Sequence, residues 1–301
     1  MSEAAPTEVQ FVSLPWRGKP LQLEYQWLGN TAAANPVIVF LHEGLGSLAM
    51  WKDYPALLCD ALGFKGLVFS RYGYGRSMPK PADERWPVGF MHAQAHEVLP
   101  ALFDALGVSR PWLFGHSDGA SIALLHAAKF DVAGVVVVAP HIFVEDLSID
   151  SIEKARDAYA HTGLKQRLAR YHDEPDSAFR GWNDVWLAPA FRSWNIEAEL
   201  SSISAPLLAV QGADDEYGTL EQIRGIARAL PSTRLVVIPQ CGHSPHRDQP
   251  GVLTRHVAEF ILAHVPLSPL GRHGATKGPC GPRANTGVRS TKVPQSARAG
   301  L

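Results

Sequence analysis

Between a short apolar run, Trp112-Leu113-Phe114, and a stretch of small residues, Ala120 to Lys129, the chain sets Gly115-His116-Ser117-Asp118-Gly119. This G-x-S-x-G constrains the fold more than any other feature. The apolar run reads as a buried strand and the small-residue stretch as a helix. A serine in so tight a strand-to-helix turn sits on a strained backbone, with its hydroxyl lifted clear of the sheet. Glycines flank it because a Cβ there would meet neighbouring chain. The helix that follows aims backbone N–H groups and its positive end at any anion formed at the turn. Ser117 is therefore expected to be a nucleophile.

The rest of the chain repeats the same strand-helix rhythm, with no internal repeat and no heptad pattern. Residues 9–14 and 21–28 alternate as two edge strands, with a turn over Arg17-Gly18-Lys19-Pro20. Val37-Ile38-Val39-Phe40-Leu41 is continuously apolar, as a strand buried on both faces requires. Further strands are expected at 66–70, 135–138, 206–210 and 234–238. Helical patterns cover 51–62, 90–106, 219–230 and 250–264. Alternation of this kind predicts an α/β fold with a mostly parallel sheet and helices on both faces. The rhythm breaks over 141–205, where helices are expected at 150–171 and 183–200 and no strand is. That segment reads as a helical cap inserted after the sixth strand, dividing a core of 1–140 and 206–267.

A nucleophilic serine needs a base, and the base needs an acid to fix its tautomer and stabilise its charge. Loops at the carboxyl ends of parallel strands gather on one edge of the sheet. His243 follows the last strand in Cys241-Gly242-His243-Ser244-Pro245-His246. It is preferred over His246 because it lies closer to the strand and behind a glycine. The acid comes from Asp214-Asp215-Glu216; Asp215, three residues past Gly212, is preferred and Asp214 is the alternative. An oxyanion needs two donors. One is the amide of Asp118, directly after the nucleophile. The other is expected in the glycine-rich loop His42-Glu43-Gly44-Leu45-Gly46-Ser47, at Gly44, with Leu45 as alternative.

Composition narrows the function classes. Arginine and lysine total 28 against 29 aspartate and glutamate, so nothing overall points to nucleic acid or an anionic membrane. Six of the basic residues (Arg272, Lys277, Arg283, Arg289, Lys292, Arg298) lie in an acid-free tail, leaving 22 basic against 29 acidic residues elsewhere. That tail, from 268 on, is rich in Gly, Pro, Ser and Arg and is expected to be disordered. Three scattered cysteines argue against a disulfide framework. Met1 to Gln10 lacks the apolar stretch of a signal peptide, and Val132 to Ala139 is too short to span a bilayer. The expected address is the cytoplasm, and the expected partners are a small acyl substrate and water. His92 and His96, one helical turn apart, form no ligand set with a third residue, so no metal is expected.

From about residue 20 to 265 the chain resembles the α/β-hydrolase superfamily, in its capped, cofactor-free, carboxylesterase-like branch. The resemblance rests on His42 to Gly46, Arg71-Tyr72-Gly73-Tyr74-Gly75-Arg76-Ser77, the Ser117 turn, Gly212 to Asp215, and Gly242-His243 with Asp248 and Pro250 behind. It implies a Ser117–His243–Asp215 triad, in this fold's chain order, and an acyl-enzyme pathway on a carboxylic ester. Lactonases, thioesterases, amidases and C–C bond hydrolases share those parts, and some relatives are slow ligand receptors. Two positions depart from the family pattern. Glu43 stands where relatives usually carry glycine; its carboxylate either faces the pocket or bonds within the loop. Ser70 stands where relatives often carry aspartate. In the cap, Trp182, Trp186, Trp194, Phe179 and Phe191 line a pocket or form the cap's own core, with Trp186 the pocket-lining candidate.

Overall fold

Strands buried on both faces leave the chain one way to satisfy their backbone groups, which is to pair with one another. In a computed structural model describing residues 8–29 and 36–265, they do so in a single eight-stranded sheet. β1 (Gln10–Trp16) and β2 (Lys19–Gly29) form the antiparallel edge hairpin. The turn is shorter than expected. Arg17 and Gly18 alone make it, both at positive φ, which is the twist a two-residue hairpin needs; Lys19 and Pro20 already belong to β2. Then come β3 (Val37–Leu41), β4 (Lys65–Phe69), β5 (Trp112–His116), β6 (Gly134–Val138), β7 (Leu207–Gly212) and β8 (Arg234–Ile238). Their order is β1-β2-β4-β3-β5-β6-β7-β8. β2 meets β4 antiparallel, and every pair beyond is parallel.

The helices are α1 (Tyr54–Leu62), α2 (Phe90–Ala93), α3 (Leu99–Leu106) and α4 (Asp118–Ala127). Between β6 and β7 lie α5 (Asp146–His161), α6 (Leu164–Leu168), α7 (Pro175–Trp186) and α8 (Glu197–Leu200). After β7 come α9 (Glu221–Ala229), α10 (Pro245–Asp248) and α11 (Pro250–His264). Strand periodicity divides the core into two layers. Ile38, Phe40, Phe114, Val136 and Leu208 pack against Leu58 of α1 and Val257 of α11. Val39, Leu41, Leu113, Val137 and Ala209 face the other way, onto Leu102, Ile122 and Ile223. The second layer continues without a break into Phe179, Trp182 and Phe191, so the insertion shares the core's apolar cluster.

Three helical expectations shift. The helix over 90–106 is continuous but opens into a π segment, Gln94–Val98, just before Pro100. Proline has no N–H, so the π pairing of Ala95 carbonyl with residue 100 is missing; the His126 ring takes that carbonyl instead, at 2.8 Å. The helix expected at 183–200 instead runs Pro175–Trp186. Pro189 cannot continue it, and a 3-10 turn, Pro189–Ser193, follows. Around Gly163, the stretch 150–171 divides into α5 and α6. Among the described residues no helix is long and apolar enough to cross a membrane. The basic tail from 268 lies outside the described residues.

Candidate active site

The loops after β3, β5, β6, β7 and β8 leave the sheet at the same edge, since these strands are parallel. Ser117 sits in the turn from β5 to α4 with φ 52° and ψ −121°. Its amide bonds the Val138 carbonyl at 2.9 Å, which ties the strained turn to β6. The glycine spacing has a steric cause. A Cβ on Gly119 would strike the carbonyl of Leu41, and one on Gly115 would strike the backbone of Gly119 and Ala120. Helix α4 can thus press against β3 and β5, with its first-turn amides towards the turn.

Ser117, His243 and Asp215, 126 and 28 residues apart along the chain, meet here. His243 Nε2 lies 3.0 Å from Ser117 Oγ, and His243 Nδ1 lies 2.8 Å from Asp215 Oδ1. Asp215 is nearly sealed from water. Its Oδ1 also accepts the amides of Tyr217 (2.9 Å) and Gly218 (3.3 Å), and Gln211 donates to Oδ2 at 3.1 Å. Burial works against its charge, but the His243 hydrogen bond, the charge of His243 and the Tyr217 amide outweigh it and hold the carboxyl below its ordinary range. An ionised Asp215 accepts from Nδ1–H, leaving the Nε2 lone pair towards the serine hydroxyl. Asp214 is exposed and contributes only its amide, to the Cys241 carbonyl. His246 packs against Trp51 and His116 instead of facing the serine; burial, with the charge of His116, pushes it down to about 2.

A cavity of about 230 Å³ opens over Ser117. Gly44, Leu45 and Asp118 form one side of it, and Trp182, Trp186, Ile152, Leu164 and Leu168 from the insertion form its apolar wall. The insertion grips the loops beneath. Trp182 covers Gly44 so closely that a Cβ there would enter its indole ring. His172 accepts the Gly75 amide at Nδ1 (2.9 Å), which places its proton on Nε2, and that nitrogen donates to the Leu45 carbonyl at 3.0 Å. Trp186 Nε1 donates to Asp118 Oδ1 at 3.1 Å. Asp118, expected to offer its amide, thus also brings a carboxylate to the site. Burial raises that carboxyl to about 6, against the pull of Arg71, whose Nη2 is 3.9 Å from Oδ2. Phe191 stacks on Trp194 and Phe179 on Tyr159, so these aromatics form the insertion's own core.

Glu43 meets both expectations at once. It lines the cavity and its carboxylate folds back into its own loop. Oε1 accepts from Arg247 at 3.0 Å and Oε2 lies 3.4 Å from His116 Nδ1. His116, fully buried, reaches the His243 carbonyl with Nε2 at 2.8 Å. The variable residue of the serine turn and the acid that replaces a glycine are therefore partners, bracing the loop that carries His243. Burial opposes the Glu43 charge, but His116 and Arg247 hold the carboxyl well below its usual range. Ser70 makes a comparable exchange, donating to Glu24 Oε1 at 2.5 Å, so β2 supplies the carboxylate that residue 70 lacks.

The remaining candidates have structural places. His92 pairs with Glu199 at 3.0 Å and His96 with the Leu125 carbonyl at 3.1 Å. No group of three metal-ligating side chains occurs among the described residues. Burial pushes the Cys241 thiol up to about 11, which keeps it protonated. Sequence reasoning missed Tyr217, whose ring lies 4.7 Å from His243, and His141, which lines the cavity after β6. Neither stands in a recognisable motif.

Comparison with known proteins agrees with this architecture. The model described as "Alpha/beta hydrolase family" matches residues 38–255. A 2-hydroxy-6-oxo-6-phenylhexa-2,4-dienoate hydrolase of Burkholderia cepacia is 22% identical over 77% of this chain and 90% of its own. A protein of Pseudomonas savastanoi pv. phaseolicola, provisionally named carbamate hydrolase RutD, is 27% identical over 77% of this chain and 96% of its own. Among solved structures, an enol-lactonase from Burkholderia xenovorans LB400 superposes with a TM-score of 0.64 at 20% identity, covering 83% of this chain and all of that one.

Proposed function

This chain belongs to the alpha/beta hydrolase family, and from that premise we propose that it is a serine hydrolase cleaving a carboxylic ester of a small to medium, largely apolar substrate. One observation carries the reading: the Ser117–His243–Asp215 hydrogen-bond relay lies at the floor of a small cavity walled by tryptophan and aliphatic side chains. His243 Nε2 takes the Ser117 proton as Oγ attacks the carbonyl carbon. Charge then gathers on the carbonyl oxygen, where the Asp118 and Gly44 amides donate to it. Collapse breaks the C–O bond, and His243 returns its proton to the departing alcohol. Water, deprotonated by His243, attacks the acyl-enzyme and frees the acid and the serine. The ionised, hydrogen-bonded Asp215 keeps the imidazole in the required tautomer throughout.

Cavity volume sets the scale, because about 230 Å³ suits a short chain or a single ring. A fluorophosphonate probe, with peptide mapping, tests the nucleophile, and p-nitrophenyl esters of rising acyl length test the pocket. Labelling at Ser117 with turnover peaking at one short length is expected. Ser117→Ala should fold normally and lose at least about 10⁴-fold in kcat; a variant that keeps its activity refutes the reading. The Burkholderia cepacia relative's name favours a second reading, C–C bond hydrolysis by the same relay. A dienoate turned over while every ester is refused would establish that alternative.

A further inference from the structure

A buried histidine lines the cavity with both ring nitrogens unbonded. His141 follows β6, and its backbone is fixed at both ends by one side chain. Its amide donates to Ser121 Oγ at 3.3 Å, and the Ser121 hydroxyl donates to its carbonyl at 2.5 Å. The ring lies 5.8 Å from that of His243 and edge-on to Trp186 at 5.0 Å. The residue is 3% exposed, so what remains open faces the cavity it lines. Nδ1 is sealed and has no partner, and Nε2 bonds no described residue. Of the nearest groups of the β7 loop, the Tyr217 and Gly218 amides and the Asp215 carboxylate bond one another, His243 or Gln211, and the Tyr217 and Gly218 carbonyls accept from Ser148 and Gln211, so none of these bonds His141.

A buried polar group without a partner forfeits its hydration for nothing, so one beside a nucleophile calls for an explanation. Burial, reinforced by the charge of His243, pushes the His141 ring down to about 3, so it is neutral. A neutral imidazole carries one N–H and one lone pair. Sealing an N–H costs more than sealing a lone pair, since orphaned buried donors are the rarer of the two. The proton therefore sits on Nε2, the nitrogen on the cavity side. The triad makes no use of it.

We infer that His141 is a specificity-determining residue, whose Nε2–H donates to an acceptor oxygen that the substrate carries in addition to the carbonyl attacked by Ser117. This deepens the hydrolase reading and rests on it. The substrates are then ether-, keto- or hydroxy-bearing esters in preference to plain alkanoates. Of the walls around His141, Ile152 offers such an oxygen no donor and Trp186 already donates to Asp118; the Trp182 indole N–H and the Tyr217 hydroxyl, which bond no described residue, are the competing donors.

The test is an oxygen scan. p-Nitrophenyl hexanoate is compared with analogues in which each methylene beyond the α-carbon is replaced in turn by an ether oxygen. The acetates of the matching alcohols are scanned alongside, with hydrolysis followed by proton release. In the wild type, one position should raise kcat/KM by about tenfold over the carbon compound, the worth of one hydrogen bond. A further favoured position, served by Trp182 or Tyr217, would persist in His141→Phe. His141→Phe should abolish the advantage of the favoured position over the plain ester, and His141→Gln, whose Nε2 stands near the lost one, should restore it. A wild-type scan without a favoured position overturns the inference even where His141→Phe does not fold. So does a scan in which every favoured position survives in His141→Phe. If no ester is hydrolysed, the ester reading fails separately. Calorimetric binding of the matching ether acids and alkanoic acids to Ser117→Ala then decides on His141, with equal affinities counting against it and a preference lost in the Phe variant counting for it.

Discussion

Replacing Glu43 by glutamine keeps the side chain's shape and removes its charge. Two contacts change. The Arg247 guanidinium, at 3.0 Å, is 43% exposed, so water screens that end and it adds little. The His116 contact is different, because that ring is fully buried and its other nitrogen holds the His243 carbonyl. A hydrogen bond to a charged group contributes about 1.5–3 kcal/mol, and at 3.4 Å the lower end applies, so the cost is about 1.5 kcal/mol. For a chain of this size that is about 3–6 °C in Tm. The pH dependence identifies the cause. Glu43 is held well below its ordinary 4.5 in the folded state, so its stabilising effect is complete above that ordinary value and is lost as pH falls through the folded one. Thermal unfolding followed by circular dichroism, at about pH 7 and then stepwise towards pH 3, should show wild type and Glu43→Gln converging at the acid end. An offset that stays constant with pH, or no offset at neutral pH, would refute the reasoning.

Two further changes test the frame around the nucleophile. Asp215→Asn keeps the packing but presents an amide to His243 Nδ1, so kcat should fall by about 10³–10⁴-fold with KM little changed, as steady-state kinetics would show. Gly119→Ala drives a methyl into the Leu41 carbonyl, where backbone on both sides leaves no room to yield. A loss of at least about 3 kcal/mol in urea unfolding is expected, and a variant of native stability would mean that α4 does not press on β3 as described.

What could be read in the sequence follows from how local each signal is. The strands β3, at the sheet's centre, and β8, at its edge, lie where apolar runs and turn residues put them. The serine turn declares itself because its sterics demand glycines at fixed offsets. Helices of the insertion were harder, since an amphipathic pattern does not say where a proline will stop it, and before Pro189 α7 ends at Trp186, about four turns short of the expected end at 200. The site's outer parts were out of reach for another reason. Glu43 and His116 are unremarkable apart; only the crossing of β3 and β5 brings them to 3.4 Å. His141 and Tyr217 come within 5.8 and 4.7 Å of the His243 ring, and nothing in their own neighbourhoods along the chain records it.

The insertion that walls the cavity also touches the loops proposed to hold the oxyanion: Trp182 over Gly44, His172 on the Leu45 carbonyl, Trp186 on the Asp118 carboxylate. In many scaffolds the part that chooses the molecule and the part that performs the chemistry can be altered one at a time. Here they share atoms. A descendant that trims Trp186 to admit a bulkier guest also frees the carboxylate beside its nucleophile. Widening the diet of this protein and preserving its speed are thus a single problem, to be solved by paired substitutions in α7 and in the loops below it. Libraries that randomise the tryptophans alone would yield broad but sluggish variants.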